Sequence, residues 1–227
     1  MEKEIVMPTS VKIIKTEMVT HNVRHYRVEK PAGFRFSPGQ ATEVSIDKDG
    51  WREQKRPFTF TSLNDWDELE FTIKSYRDHP GVTDALWGLW PGDRLLLREV
   101  WGTITYKGPG TFVCGGAGVT PFIAILRQLE QDGKLAGNRL IGSYRTEKDI
   151  IMRAEFEAMA GLETLWTITD EPRTKLLTER IDLDFLKRHI SDFAQNFYLC
   201  GPDPLVHDLR QALEKLGANV DMLTWER

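Results

Sequence analysis

Four short stretches bring together residue types that can do chemistry. Residues 56–62 read RPFTFTS, a guanidinium and a proline ahead of a run that alternates aromatic and hydroxyl side chains. In an extended strand Phe58 and Phe60 share one face and Thr59 and Thr61 the other, with Ser62 closing the run. Arg56 either pairs with a surface carboxylate, the usual fate of a lone arginine, or clamps a phosphate, which its planar fork suits. Residues 114–121, CGGAGVTP, place glycines where a strand meets a helix. Glycines there let the backbone approach a phosphate, and free N–H groups at the helix start favour an anion; a tight strand-to-helix turn explains the pattern about equally well. LCGPDP at 199–204 is a second such corner, with Asp203 placed as N-cap and Pro204 at the first helical position. Cys200 is there either a small buried apolar group or a thiol at the mouth of a cleft, and its coincidence with a second glycine corner favours the latter. HPGVTDAL at 79–86 adds Gly81 and a hydroxyl residue at another helix start. Three anion seats, two at a sheet edge and one beside an arginine, imply a ligand pair carrying several phosphates. The GxGxxG fingerprint is absent, and no acidic residue follows at its usual distance.

The elements that must position these stretches change character along the chain. Up to about residue 107 the sequence is written in short strands. In ELEFTIKS, Leu69, Phe71 and Ile73 alternate with Glu70, Thr72 and Lys74, a period of two that predicts a half-buried strand. VKIIKTEMVT, VRHYRVEK, QATEVSI and RLLLREV continue the theme, and VTDALWGLW is the one helix expected among them. Many short strands with turn signals between them predict an antiparallel barrel or sandwich. From about residue 110 strands and helices alternate, which predicts a parallel sheet covered by helices. GTFVCGG leads into TPFIAILRQLEQDG, where Phe122, Ile125, Leu126 and Leu129 fall at helical spacing, Thr120 is placed as N-cap and Pro121 follows it. The division is therefore 1–107 and 108–227, joined near YKGPG at 106–110.

Composition narrows the classes. The chain has 227 residues, 41% hydrophobic and 28% charged, within the range of a globular protein with a substantial core. A net charge of −4 gives a nucleic-acid partner no electrostatic support. Two cysteines, Cys114 and Cys200, exclude a disulfide framework and a four-cysteine zinc or iron–sulfur site within this chain, so no metal site is expected. No apolar run approaches membrane-spanning length and the opening MEKEIVMPTS is too charged for a leader, which predicts a cytoplasmic protein.

In their order these motifs resemble the ferredoxin–NADP⁺ reductase family of flavoproteins. RPFTFTS resembles its Arg-x-Tyr-Ser/Thr-x-x-Ser flavin motif, GGAGVTP its Gly-Gly-x-Gly-x-Thr-Pro nucleotide loop, and CGP its third signature. The resemblance covers nearly the whole chain and implies an N-terminal antiparallel β-barrel FAD domain followed by a parallel α/β NAD(P)-binding domain. It places Arg56 on the FAD pyrophosphate, Phe58 on the isoalloxazine, Thr59 near flavin N5 and Ser62 in support of the loop. Gly81, Val82 and Thr83 match the family's second phosphate-contacting turn, with Lys74 or Tyr76 along the adenosine side. Gly115, Gly116, Gly118, Val119 and Thr120 correspond to the nicotinamide dinucleotide loop, and Cys200, Gly201 and Pro202 to the turn beside the nicotinamide. Thr59 and Cys200 are the catalytic candidates, with Glu226 at the family's terminal Glu-plus-aromatic; Trp225 lies on the reversed side of that pair.

Three departures accompany the match. Phe58 lacks the family's phenol, REVWGTITY at 98–106 replaces a Gly-Pro-rich run with only Gly102 in place of its glycine, and TWER inverts the terminal pair. Arg145 in GSYRTEKD, with Arg153 beyond it, stands where relatives choose between a 2′-phosphate and a bare ribose; an arginine there favours NADPH over NADH, unless both are simply solvated. The reaction implied is hydride transfer from NAD(P)H to FAD, then electron delivery to ferredoxin, a flavodoxin-like carrier or a small acceptor. The alternative is a non-catalytic flavin electron-transfer subunit of a larger redox complex, which has no need of intact GGAGVTP and CGP loops. A barrel-plus-sheet binding protein without flavin leaves Arg56, Thr59 and Ser62 unexplained.

Overall fold

The computed structural model describes residues 7–102 and 104–225. The chain divides into two compact units, Met1–Gly102 and Thr103–Arg227.

The first unit contains strands β1 (Thr9–Thr20), β2 (Val23–Glu29), β3 (Gln40–Ile46), β4 (Arg56–Thr59), β5 (Glu68–Lys74) and β6 (Arg94–Gly102), with helix α1 (Val82–Trp87) between β5 and β6. The strands pair antiparallel in the order β4-β3-β6-β1-β2-β5. Beyond β4 the chain bridges Phe60 to Phe71 of β5, and the Thr61 N–H donates to the Glu70 carbonyl at 2.8 Å, which closes the sheet into a barrel. Leu69, Phe71 and Ile73 point into the core, as their period of two predicts. Phe60 stacks on Phe36 with centroids 4.4 Å apart.

Helix α1 stops at Trp87, three residues short of the expected segment, with Gly88 as its C-cap, and its end meets an internal cation. Arg24 is 6% exposed. Its Nη1 donates to the Trp87 carbonyl at 2.7 Å and its Nη2 to Thr16 Oγ1 at 2.8 Å. The guanidinium also lies 5.1 Å and 5.4 Å from the ring centroids of Trp90 and Trp87. A cation at a helix C-terminus meets the negative end of the helix dipole, so this charge is compensated by carbonyls and aromatic faces. Arg24→Met is expected to destabilise the unit by ~2–3 kcal/mol, the range for bonds to a charged donor. Thermal unfolding should register this as a fall of about 10 °C or more; a variant melting with the parent shows that the helix end is held by other contacts.

The second unit alternates β7 (Gly110–Gly115), α2 (Thr120–Gln131), β8 (Asn138–Tyr144), α3 (Arg153–Ala158), β9 (Leu162–Ile168), α4 (Leu183–His189), β10 (Asn196–Cys200), α5 (Asp203–Lys215) and β11 (Leu223–Trp225). All strand pairs are parallel, in the order β11-β10-β7-β8-β9. Val113, Ile141 and Leu199 face α4 and α5, while Phe112 packs on Phe122 of α2 with centroids 5.0 Å apart. Strand β11 was not anticipated; three residues carry too short a pattern to register as a strand. The strand order reverses between β7 and β10, and ligands of such sheets bind at that point, beyond the strands' carboxyl ends.

Candidate functional site

In the first unit the motif residues occupy the β4 edge and its continuation. Arg56 is exposed, and its Nη1 donates to the Lys55 carbonyl at 2.9 Å. No carboxylate pairs with it among the described residues; Glu43 is taken by Lys55 instead. Phe58 is half buried against the barrel core, so part of its ring remains exposed. Thr59 is 7% exposed, and Ser62 is fully buried with its Oγ accepting from the Glu70 N–H at 3.0 Å.

Lys74 and Tyr76 follow at the end of β5, the ammonium 5.5 Å from the ring centroid and Tyr76 51% exposed. Gly81 has extended backbone that any residue adopts, and a Cβ built there meets nothing within 4 Å. Neither the chain's conformation nor its packing demands glycine at 81, which fits a surface kept open for a ligand. Val82 is buried and Thr83 half buried in α1, whose six residues make a weaker anion seat than a long helix does. An uncommitted guanidinium, an open glycine turn and a flat aromatic edge suit an FAD.

The second unit brings its two corners together. Strands β7 and β10 are neighbours, with Cys114 and Cys200 in register. The corner after β7 differs from expectation: Gly116–Val119 already wind as a 3-10 helix that runs straight into α2, so Thr120 lies inside the helix and caps nothing. The head N–H groups thus belong to the glycine stretch itself. At the second corner Pro202, not Asp203, is the N-cap. Both differences arise because a glycine or proline turn can enter a helix without a side-chain acceptor.

The glycines also have a packing reason. A Cβ on Gly118 would sit 2.3 Å from the Cys200 carbonyl oxygen, and one on Gly115 would sit 2.6 Å from Leu205. Gly201, at φ 151°, sits with its own Cβ position 3.0 Å from the Gly115 nitrogen. Close backbone approach requires glycine at 118 and 201, whatever binds above.

The two cysteines are buried in the sheet. Burial pushes the Cys114 thiol up to about 12, so Cys114 is a neutral packing group. Burial likewise holds the Tyr144 phenol well above its ordinary range. Cys200 closes β10 directly before Gly201. Trp225 sits on β11 beside Leu199, its ring 3.8 Å beneath the Arg210 guanidinium, so its indole is tied to α5 of its own unit. Glu226 lies outside the described residues.

Arg145 is exposed, and its Nη2 donates to Asp170 at 2.7 Å, which holds its pKa above the ordinary value. Arg153 pairs with Glu157 at 2.7 Å and Glu147 at 3.1 Å. Neither guanidinium is merely solvated, and both are already committed to carboxylates.

One group escaped the sequence reading. The alternation in β5 predicts solvent-facing Glu70 and Thr72, yet they are 1% and 4% exposed. Thr61 and Ser62 fold over them, and β2 contributes His25 and Arg27 opposite. Only the register Arg27↔Glu70 discloses the pairing, and register is not local.

Comparison with known proteins agrees with this architecture. A family model described as an FAD-binding domain matches residues 8–86, and one described as an oxidoreductase NAD-binding domain matches residues 112–211. The reductase component of propane 2-monooxygenase from Rhodococcus jostii is 26% identical over 95% of this chain, which spans 62% of that protein's length. Human NADH-cytochrome b5 reductase 2 is 25% identical over 93% of this chain and 91% of its own. The fold matches a ferredoxin NADP⁺ reductase from Neisseria gonorrhoeae solved with bound FAD and NADP, at a TM-score of 0.80 and 22% identity, covering 93% of this chain and 92% of that one.

Proposed function

Since the chain belongs to the ferredoxin–NADP⁺ reductase-like flavoproteins, with an FAD-binding and an NAD-binding domain, we propose that it oxidises NAD(P)H and passes the electrons through FAD to a separate acceptor. The observation that carries this reading is Arg56, an exposed guanidinium on the edge strand of the FAD domain that pairs with no carboxylate among the described residues. A bound flavin would supply the redox chemistry, for which the protein gives binding, orientation and electrostatics. Arg56 would anchor the pyrophosphate, Thr59 would lie beside the ring, and half-buried Phe58 would offer a packing surface. The Gly116–Val119 turn offers N–H groups to the dinucleotide phosphates, and Cys200 bounds the nicotinamide end. Anaerobic titration of the FAD-loaded protein with each nucleotide is the test: the visible flavin band should bleach, and a band indifferent to both ends the proposal.

The acceptor in this reading is a ferredoxin, a flavodoxin-like carrier, another redox protein or a small molecule. Two buried cysteines cannot supply the four thiolates that an iron–sulfur cluster needs. The two relatives are named for cytochrome b5 and for a monooxygenase, which favours a protein acceptor. Among the described residues no helix is long and apolar enough to cross a membrane.

The preference for NADPH drawn from Arg145 weakens once Asp170 is counted, because the carboxylate both occupies the guanidinium and repels a 2′-phosphate. Asp170→Asn releases Arg145 and is expected to raise the NADPH-to-NADH ratio of kcat/KM by about two- to fivefold, the scale of an exposed ion pair. An unchanged or falling ratio shows that Arg145 does not reach the coenzyme.

A further inference from the structure

Glu70 is a buried carboxylate one side-chain row from the flavin motif. Thr61 follows Thr59 by two residues, on the same side of an extended chain and about 7 Å along it. The carboxylate receives an ordered chain of hydrogen bonds. Thr61 Oγ1 donates to Glu70 Oε1 at 3.0 Å, and Thr72 Oγ1 donates to Thr61 Oγ1 at 3.1 Å. Each hydroxyl has one proton, so Thr72 must accept at its 2.9 Å contact with His25 Nδ1, which fixes the proton on that ring nitrogen. The relay therefore points from His25 through two threonines to Glu70. Arg27 Nε stands 3.4 Å from the other oxygen, its side chain 40% exposed against 2% for Glu70. Glu70 also grips the backbone of the motif, through its N–H to Ser62 Oγ and its carbonyl to the Thr61 N–H.

A strand needing only polar outward residues has no use for a buried charge held this way. Burying a carboxylate is costly, and a directed chain of donors aligned on one oxygen polarises cooperatively toward it. We propose that Glu70 is the residue that sets the reduction potential of the bound flavin: its charge, held by the His25–Thr72–Thr61 chain and partly offset by Arg27, disfavours the electron-rich reduced state. The inference rests on the flavin reading given above, and it assigns to Glu70 a positioning and electrostatic part with no contact to substrate.

At an effective dielectric near 20, a unit charge one or two side-chain rows away biases a redox equilibrium by roughly tenfold or more. Glu70→Gln keeps the shape and removes the charge, so the oxidised-to-reduced equilibrium should move toward reduced by about tenfold, ~30 mV for a two-electron couple. Arg27→Gln removes the offsetting charge and should move it the other way. Equilibration of FAD-loaded proteins with a dye of known potential reads both, after flavin content and melting are matched to the parent. Opposite signs support the proposal, because packing damage has no sign rule. Shifts in one direction, or both within twofold of the parent at full flavin content, overturn it. If Glu70→Gln does not fold, Arg27→Gln at the exposed rim decides alone: a shift toward oxidised supports, and an unchanged or opposite one overturns. A parent protein that binds no FAD refutes the flavin reading instead, and is seen before any variant is made.

Discussion

Arg56→Ala is expected to lose FAD while the barrel stays intact. The guanidinium's bond to the Lys55 carbonyl is a local contact of an exposed side chain, so its removal changes little in the empty protein. Against a pyrophosphate the same group makes charge-assisted bonds, and losing them costs about 2–3 kcal/mol, or roughly 30- to 100-fold in affinity. Fluorescence titration of the apo-protein with FAD measures the affinity, and its melting curve checks the fold. Retention of FAD within a few-fold of the parent removes Arg56 from the site. Arg56→Lys should restore only part of the loss, since an ammonium keeps the charge but not the fork.

Gly118→Ala should have the opposite signature, damage to the second unit with FAD retained by the first. The new methyl would sit 2.3 Å from the Cys200 oxygen and 2.6 Å from the Gly201 Cα, both backbone atoms that no rotamer change can move. The corner after β7 must part from the corner after β10, at a cost of about 3 kcal/mol, the upper end for overpacking. Because the glycine turn and the Cys200 turn are displaced together, NAD(P)H affinity should fall by at least about tenfold. Calorimetry and anaerobic nucleotide titration measure the two effects. A variant that melts and titrates like the parent means the two corners are not held together as the structure shows.

Much of the architecture lies open in local patterns. The period of two in ELEFTIKS and the helical spacing in TPFIAILRQLEQ are properties of consecutive residues, so a barrel half and an alternating half can be told apart without coordinates. The glycine and proline corners at 115–121 and 200–204 are equally local, and the neighbouring positions of β7 and β10 place them side by side. Helix caps were less legible: Thr120 and Asp203 are good acceptors in sequence, yet the chain enters both helices one or more residues earlier.

What sequence alone determines here is the order of the elements, the residue types at each corner and the class of cofactor they suit. Tertiary structure decides the state of each charged side chain. Arg56 meets no carboxylate among the described residues, Arg145 is claimed by Asp170, Arg24 ends a helix and Glu70 is buried behind Thr61. The physical reason is range. Side-chain periodicity acts between neighbours along the chain, whereas the desolvation and pairing of a charge depend on whichever residues the strand register carries to within a few ångströms of it.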